Sequence, residues 1–166
     1  MKHTRKLALC GVVSAMTLAV LLIGSVIGVG TYAAPLFASL MLMPVGMSAG
    51  TKSQLLSWLC VGLLSLILLT DREEAFMFLL VFGWYPAVRP YLERLKKPLG
   101  TVCKLLSLNI AAVGTELLVI WLVMPEAEAW WLWLTLWAVA NVIFVMYDSL
   151  IPRFEALIRR RFGKYL

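Results

Sequence analysis

The amino-acid sequence predicts an all-α polytopic membrane protein: six transmembrane helices, with the N and C termini both cytoplasmic. Three observations point there. Apolar residues are in excess, they group into stretches of bilayer length, and Lys and Arg fall unevenly between those stretches. Of 166 residues, 62% are hydrophobic and 14% are charged, against roughly 25% charged in soluble domains. A soluble fold of this length has too little interior to hide so many Leu, Val, Ile, Met and Trp side chains, so they must face lipid.

Crossing about 30 Å of hydrocarbon takes roughly 20 helical residues. The first such stretch runs from Leu7 to Gly28 behind a basic start. It is longer than the about 7–15 apolar residues of a signal peptide, and another apolar stretch follows almost at once. The second, Tyr32 to Ala49, carries Pro44, and the fourth, Glu74 to Val88, carries Pro86. Each proline removes a backbone donor and is expected to kink its helix where neighbours can shelter the freed carbonyl. Both stretches are short, which leaves a five-span or re-entrant arrangement as the alternative. Ser53 to Leu69, Thr101 to Met124 and Trp130 to Ile151 supply the third, fifth and sixth. Residues 1–152 thus form one transmembrane domain without internal repeats, and 153–166 a basic cytoplasmic tail expected to continue as a surface helix.

With the N-terminus inside, Lys2, Arg5, Lys6, Lys52, the bases from Arg89 to Lys104 and those from Arg153 to Lys164 all lie on the cytoplasmic side, and Arg72 alone lies outside. The positive-inside tendency selects this orientation, and the plasma membrane is the expected location. The outer loops hold Asp71, Glu73, Glu74, Glu126 and Glu128. The net charge of +6 is explained by these membrane flanks, so no nucleic-acid partner is expected.

Catalytic and metal chemistry find little support. Cys10, Cys60 and Cys103 lack ligand spacing and read as small core residues, and the one histidine, His3, lies in the N-terminal tail. There is no HExxH, no GxSxG and no phosphate loop with its lysine. No enzyme activity, metal or cofactor is expected, and any ATP hydrolysis belongs to another protein.

Several residues could instead bind. Gly11, Ala15 and Ala19, with Ala8 nearby, align at i, i+4, i+8 into a shallow strip where another helix can approach, from this chain or from a separate subunit. Asn109 and Glu116 share one face of the fifth stretch, and a carboxylate at membrane depth needs a partner, a ligand or water. In the sixth, Asn141 faces either a polar pocket or a helix-tying amide, and Asp148 is expected to cap the inner boundary beside Arg153. Asp71, Glu73 and Glu74 suit the first turn of a helix, where its dipole favours negative charge; alternatively Arg72 and one acid close over a ligand. Tyr32, Trp133 and the neighbouring tryptophans 130, 131 and 137 are either an interfacial belt or a stacking surface. Gly83-Trp84-Tyr85-Pro86 reads as a kink and inner belt.

A six-span chain of this length, with Arg5-Lys6-Leu7-Ala8-Leu9 leading into a small-residue first helix and a basic inner loop, resembles the substrate-binding S components of energy-coupling factor transporters. The strip Gly11, Ala15, Ala19 matches the family's Ala-x-x-x-Ala-like feature, with Gly in place of one Ala. The resemblance implies a membrane subunit that captures a vitamin-like small molecule outside and docks through this strip on a transmembrane coupling subunit driven by two ATPases. Tyr32, Arg72, Asn109, Glu116, Trp133 and Asn141 are then the expected substrate-binding set. The Met-His start of nickel and cobalt members is missing, so the resemblance does not extend to metal transport. The outer acids and Glu116 favour an amine-bearing or cationic ligand. The alternative is a structural or assembly factor that uses the same strip to hold a partner complex.

Overall fold

The computed structural model describes residues 2–27, 32–95, 99–122 and 130–162, with the description limited to the backbone at 2–3, 116, 119–122, 130–136 and 162. The fold is all-α, as the composition requires, and among the described residues there is no strand. Helix α1 (Lys2–Ile27) spans 26 residues, about 39 Å at 1.5 Å per residue, enough to cross the hydrocarbon. Its Val12, Met16, Ile23 and Val26 are exposed, which in a bilayer means contact with lipid rather than water. Thr4–Ile27, Thr51–Leu68 and Arg72–Leu92 are each long and apolar enough to span, and Ala33–Ala49 is a shorter apolar unit.

The second stretch is two helices, α2 (Ala33–Met41) and α3 (Met43–Ala49), broken at Leu42. Pro44 falls at the start of α3, where its missing N–H is no loss. Gly50 then joins α3 to α4 (Thr51–Leu68) with φ 92° and ψ 165°, a backbone region populated almost only by glycine. Nothing would obstruct a Cβ there, so Gly50→Ala isolates backbone strain. It is expected to lower stability by roughly 1–3 kcal/mol, read from thermal unfolding in detergent; an unchanged melting curve would contradict this junction.

The fourth stretch is discontinuous: α5 (Arg72–Phe76), a π-helical turn (Met77–Phe82) and α6 (Tyr85–Leu92). The kink expected at Pro86 is present, but the π turn before it was not legible. Wider turns and a proline leave carbonyls without their usual donors. Side chains reach them: the indole N–H of Trp58 donates to Leu79 O at 3.2 Å and that of Trp84 to Leu80 O at 2.7 Å. The carbonyl of Phe82, which Pro86 cannot serve, lies 3.4 Å from the Tyr147 hydroxyl. The same Tyr147 hydroxyl is also hydrogen-bonded to Ser39 of α2. Tyr85 is 1% exposed, so it is a core residue and not part of an interfacial belt.

Helices α7 (Leu99–Leu122) and α8 (Trp130–Phe162) complete the bundle. At 33 residues, α8 is about 50 Å long and outruns the hydrocarbon; the basic segment after Arg153 continues the same helix. One core joins α2, the π turn, α6, α7 and α8 through Leu40, Phe82, Tyr85, Leu108, Phe144 and Tyr147. Tyr85 and Phe144 meet edge-on with ring centroids 4.8 Å apart. A second core packs Leu21 of α1 against Ala38, Leu42, Val61, Ala75 and Phe78. Cys60 is exposed while Cys10 and Cys103 are half-buried, so the cysteines are not the core residues their apolar neighbours suggested.

Candidate functional site

The helices gather polar groups at two opposite ends. At the acidic end, the Asp71 carboxylate caps α5, accepting the N–H of Glu73 at 3.0 Å and of Glu74 at 3.3 Å. The backbone N–H of Asp71 donates to Ser25 Oγ at 3.0 Å, fastening α5 to the end of α1. The Tyr32 hydroxyl donates to Glu73 Oε1 at 2.7 Å and holds the start of α2 against the same turn. Arg72 is exposed and has no acidic partner among the described residues. Glu73 and Glu74 therefore occupy the first turn as the helix dipole favours, with Asp71 at its N-cap.

Glu74 differs from its neighbours. It is 0% exposed, and neither carboxylate oxygen has a hydrogen-bond partner among the described residues. The carboxyl stands against α1 at Gly24 and α2 at Ala34: a Cβ at position 24 would lie 2.7 Å from Glu74 Oε1 and collide with the Ala34 methyl. Glycine at 24 is thus what makes room for the carboxyl. A buried polar group without a partner costs free energy that the fold must supply elsewhere.

Asn109 and Asn141 do meet. Their amides exchange hydrogen bonds at 3.2 and 3.1 Å, and each also donates to its own helix, Asn109 to Leu105 O at 2.8 Å and Asn141 to Trp137 O at 2.9 Å. Both N–H groups of each amide are then used, and the pair ties α7 to α8. Glu116 continues the face of Asn109 on α7, but its side chain and that of Trp133 lie outside the described residues.

At the basic end, Asp148 of α8 accepts from the Tyr85 hydroxyl at 2.6 Å, Arg89 Nε at 2.7 Å and Lys104 Nζ at 3.0 Å. Glu93 takes a second bond from Arg89 at 2.6 Å and one from Lys104 at 3.2 Å. Asp148 thus lies at the basic end, as expected of an inner-boundary residue, and its partners are Tyr85, Arg89 and Lys104 rather than its sequence neighbour Arg153. Five residues along a helix turn through about 500°, so Arg153 leaves the face that Asp148 presents to α6 and α7. The network of Tyr85, Arg89, Glu93, Lys104 and Asp148 escaped the sequence reading, although Lys104 inside an apolar stretch was a usable signal for a buried partner.

The strip on α1 is bare. Gly11, Ala15 and Ala19 are exposed along with Ala8, and no atom outside the helix backbone lies within 4 Å of where a Gly11 Cβ would be. The rest of the described chain packs α1 from other sides, through Thr17 and Leu21. Among the described residues no group of His, Cys, Asp and Glu has the makings of a metal site. No family model, no curated protein and no solved structure matches the chain significantly.

Proposed function

We propose that the chain is the substrate-binding subunit of an energy-coupling-factor-type importer in the plasma membrane. It captures a vitamin-like small molecule at the acidic, outward end and docks on a coupling subunit powered by separate ATPases. The observation that carries this reading is the bare strip Ala8, Gly11, Ala15 and Ala19. Small residues facing away from their own bundle, in lipid, gain nothing over Leu unless another helix comes close, because close backbone approach is what they permit. The unpartnered Glu74 supports the outward ligand end: an enclosed carboxylate lacking a donor is matched by a ligand amine or cation. Orientation follows from the unequal distribution of Lys and Arg between the two ends.

The test is a pull-down in mild detergent from the native host, with mass spectrometry of co-purifying proteins and of small molecules released on denaturation. A coupling subunit with two ATPases is expected, and Ala15→Trp, which places a bulky side chain in the strip without touching the core, is expected to lose it. Retention of the same complex by the Trp variant would exclude the strip as the docking surface.

One observation favours a second reading, a structural or assembly factor that holds a partner membrane complex. A hollow of about 860 Å³ lies between α1, α3 and α8 at the basic end and not beside Glu74. That factor would recover its partner complex in the same pull-down but release no small molecule.

A further inference from the structure

From the basic end we infer that the hollow between α1, α3 and α8 is a binding site for an anionic phospholipid, a property that goes beyond the proposed transport role and does not depend on it. Its walls are hydrocarbon: Val13 and Met16 from α1, Met41 and Pro44 from the second stretch, Phe154 and Leu157 from α8. At about 860 Å³ it reaches the upper part of the roughly 300–1,000 Å³ range of small-molecule sites. A smaller hollow of about 400 Å³ adjoins it and shares Met41, Phe154 and Leu157. The two together form a branched apolar space suited to acyl chains.

The charge around this space is of one sign. Arg5 and Lys6 line the first hollow and Arg153 the second, and among the described residues no acidic side chain lines either. None of these three bases has an acidic partner among the described residues, whereas Arg89 and Lys104 are neutralised by Glu93 and Asp148. The one hydroxyl in the wall, Ser48, already donates to Pro44 O at 2.8 Å. An apolar cleft with unpaired cations at its mouth is complementary to an amphiphile with a negative head. Basic pockets between helices on the cytoplasmic side take anionic lipid headgroups in this way. A protein helix would have to match those bases with acids of its own, while the lipid brings chain and charge in one molecule.

The test uses the full chain in nanodiscs of equal phosphatidylglycerol and phosphatidylcholine, followed by gentle detergent extraction and native mass spectrometry of retained lipid. Selective retention of phosphatidylglycerol is expected. Each base near the surface contributes about fivefold to such binding, so the combined variant R5Q/K6Q/R153Q is expected to weaken it on the order of a hundredfold, and K52Q, outside the hollow, to leave it unchanged. Leu157→Trp fills the shared wall without altering charge and is expected to displace the lipid as well. Equal retention of both lipids, undiminished phosphatidylglycerol in the triple variant, or a co-purified protein helix in the hollow with no phospholipid would each overturn the assignment.

Discussion

Asp148→Ala is expected to cost about 3–5 kcal/mol of stability, the range for removing one partner of a buried ion pair. The carboxylate is the shared acceptor of three donors from two other segments: the Tyr85 hydroxyl, Arg89 Nε and Lys104 Nζ. The side chains of Arg89 and Lys104 are only 10% and 12% exposed, and that of Asp148 26%. Their charges cannot be rehydrated when the anion is lost. Glu93 remains beside both bases, but at 44% side-chain exposure it is partly screened by water and replaces only part of the lost attraction. A loss below about 1 kcal/mol, the usual worth of a surface pair, would show that the network is solvated.

A companion variant separates the worth of the network from the penalty of breaking it. Changing Asp148→Leu, Arg89→Met and Lys104→Met together removes all three buried charges and leaves apolar volume in their place. Buried ion pairs replaced by well-packed hydrophobic groups are often neutral or stabilising, so the triple variant is expected to melt above Asp148→Ala. If it melts lower, the polar cluster contributes net stability of its own. Thermal unfolding in mild detergent, followed by tryptophan fluorescence, reads both.

The contrast between what the sequence reveals and what it hides follows from the length scale of each signal. An apolar run such as Leu7 to Gly28 fixes a helix without reference to any other part of the chain, and the structure places α1 there. Local chemistry was equally legible where donor and acceptor are neighbours in sequence: Asp71 caps the helix it precedes. The Asn109–Asn141 contact could be anticipated because an amide at membrane depth needs another polar group and the two stretches carry one each. What stayed hidden depends on the third dimension. Carbonyls of the π turn at Met77–Phe82 are met by Trp58 and Tyr147 from other helices, and no local pattern encodes that. The partners of Asp148 lie 44 to 63 residues away in sequence, on α6 and α7, and no local pattern announces them. Glu74 was seen as one of several outer acids, and its burial is set by Gly24 and Ala34, fifty and forty residues before it.

Glu74→Leu is expected to raise stability, opposite in sign to most core substitutions. The carboxyl is fully enclosed with both oxygens unpartnered, and an unsatisfied buried polar group costs about 1–3 kcal/mol, more when charged. Against this stands the favourable position of an acid in the first turn of α5, about 0.3–1 kcal/mol. The desolvation penalty is the larger, and Leu has similar bulk, so the space between Gly24 and Ala34 stays filled. A net gain of roughly 1–2 kcal/mol follows from these ranges, measurable as a higher melting temperature in detergent. A protein that keeps a destabilising carboxyl where leucine is more stable does so at the expense of its fold, the pattern expected of a functional position. Under the proposed function the same variant no longer yields the small molecule released from the wild-type protein, while recovery of the coupling subunit through the α1 strip is unaffected. A lower melting temperature for Glu74→Leu would mean that the carboxyl is satisfied within the fold, and the acidic end would then lose its claim to a ligand.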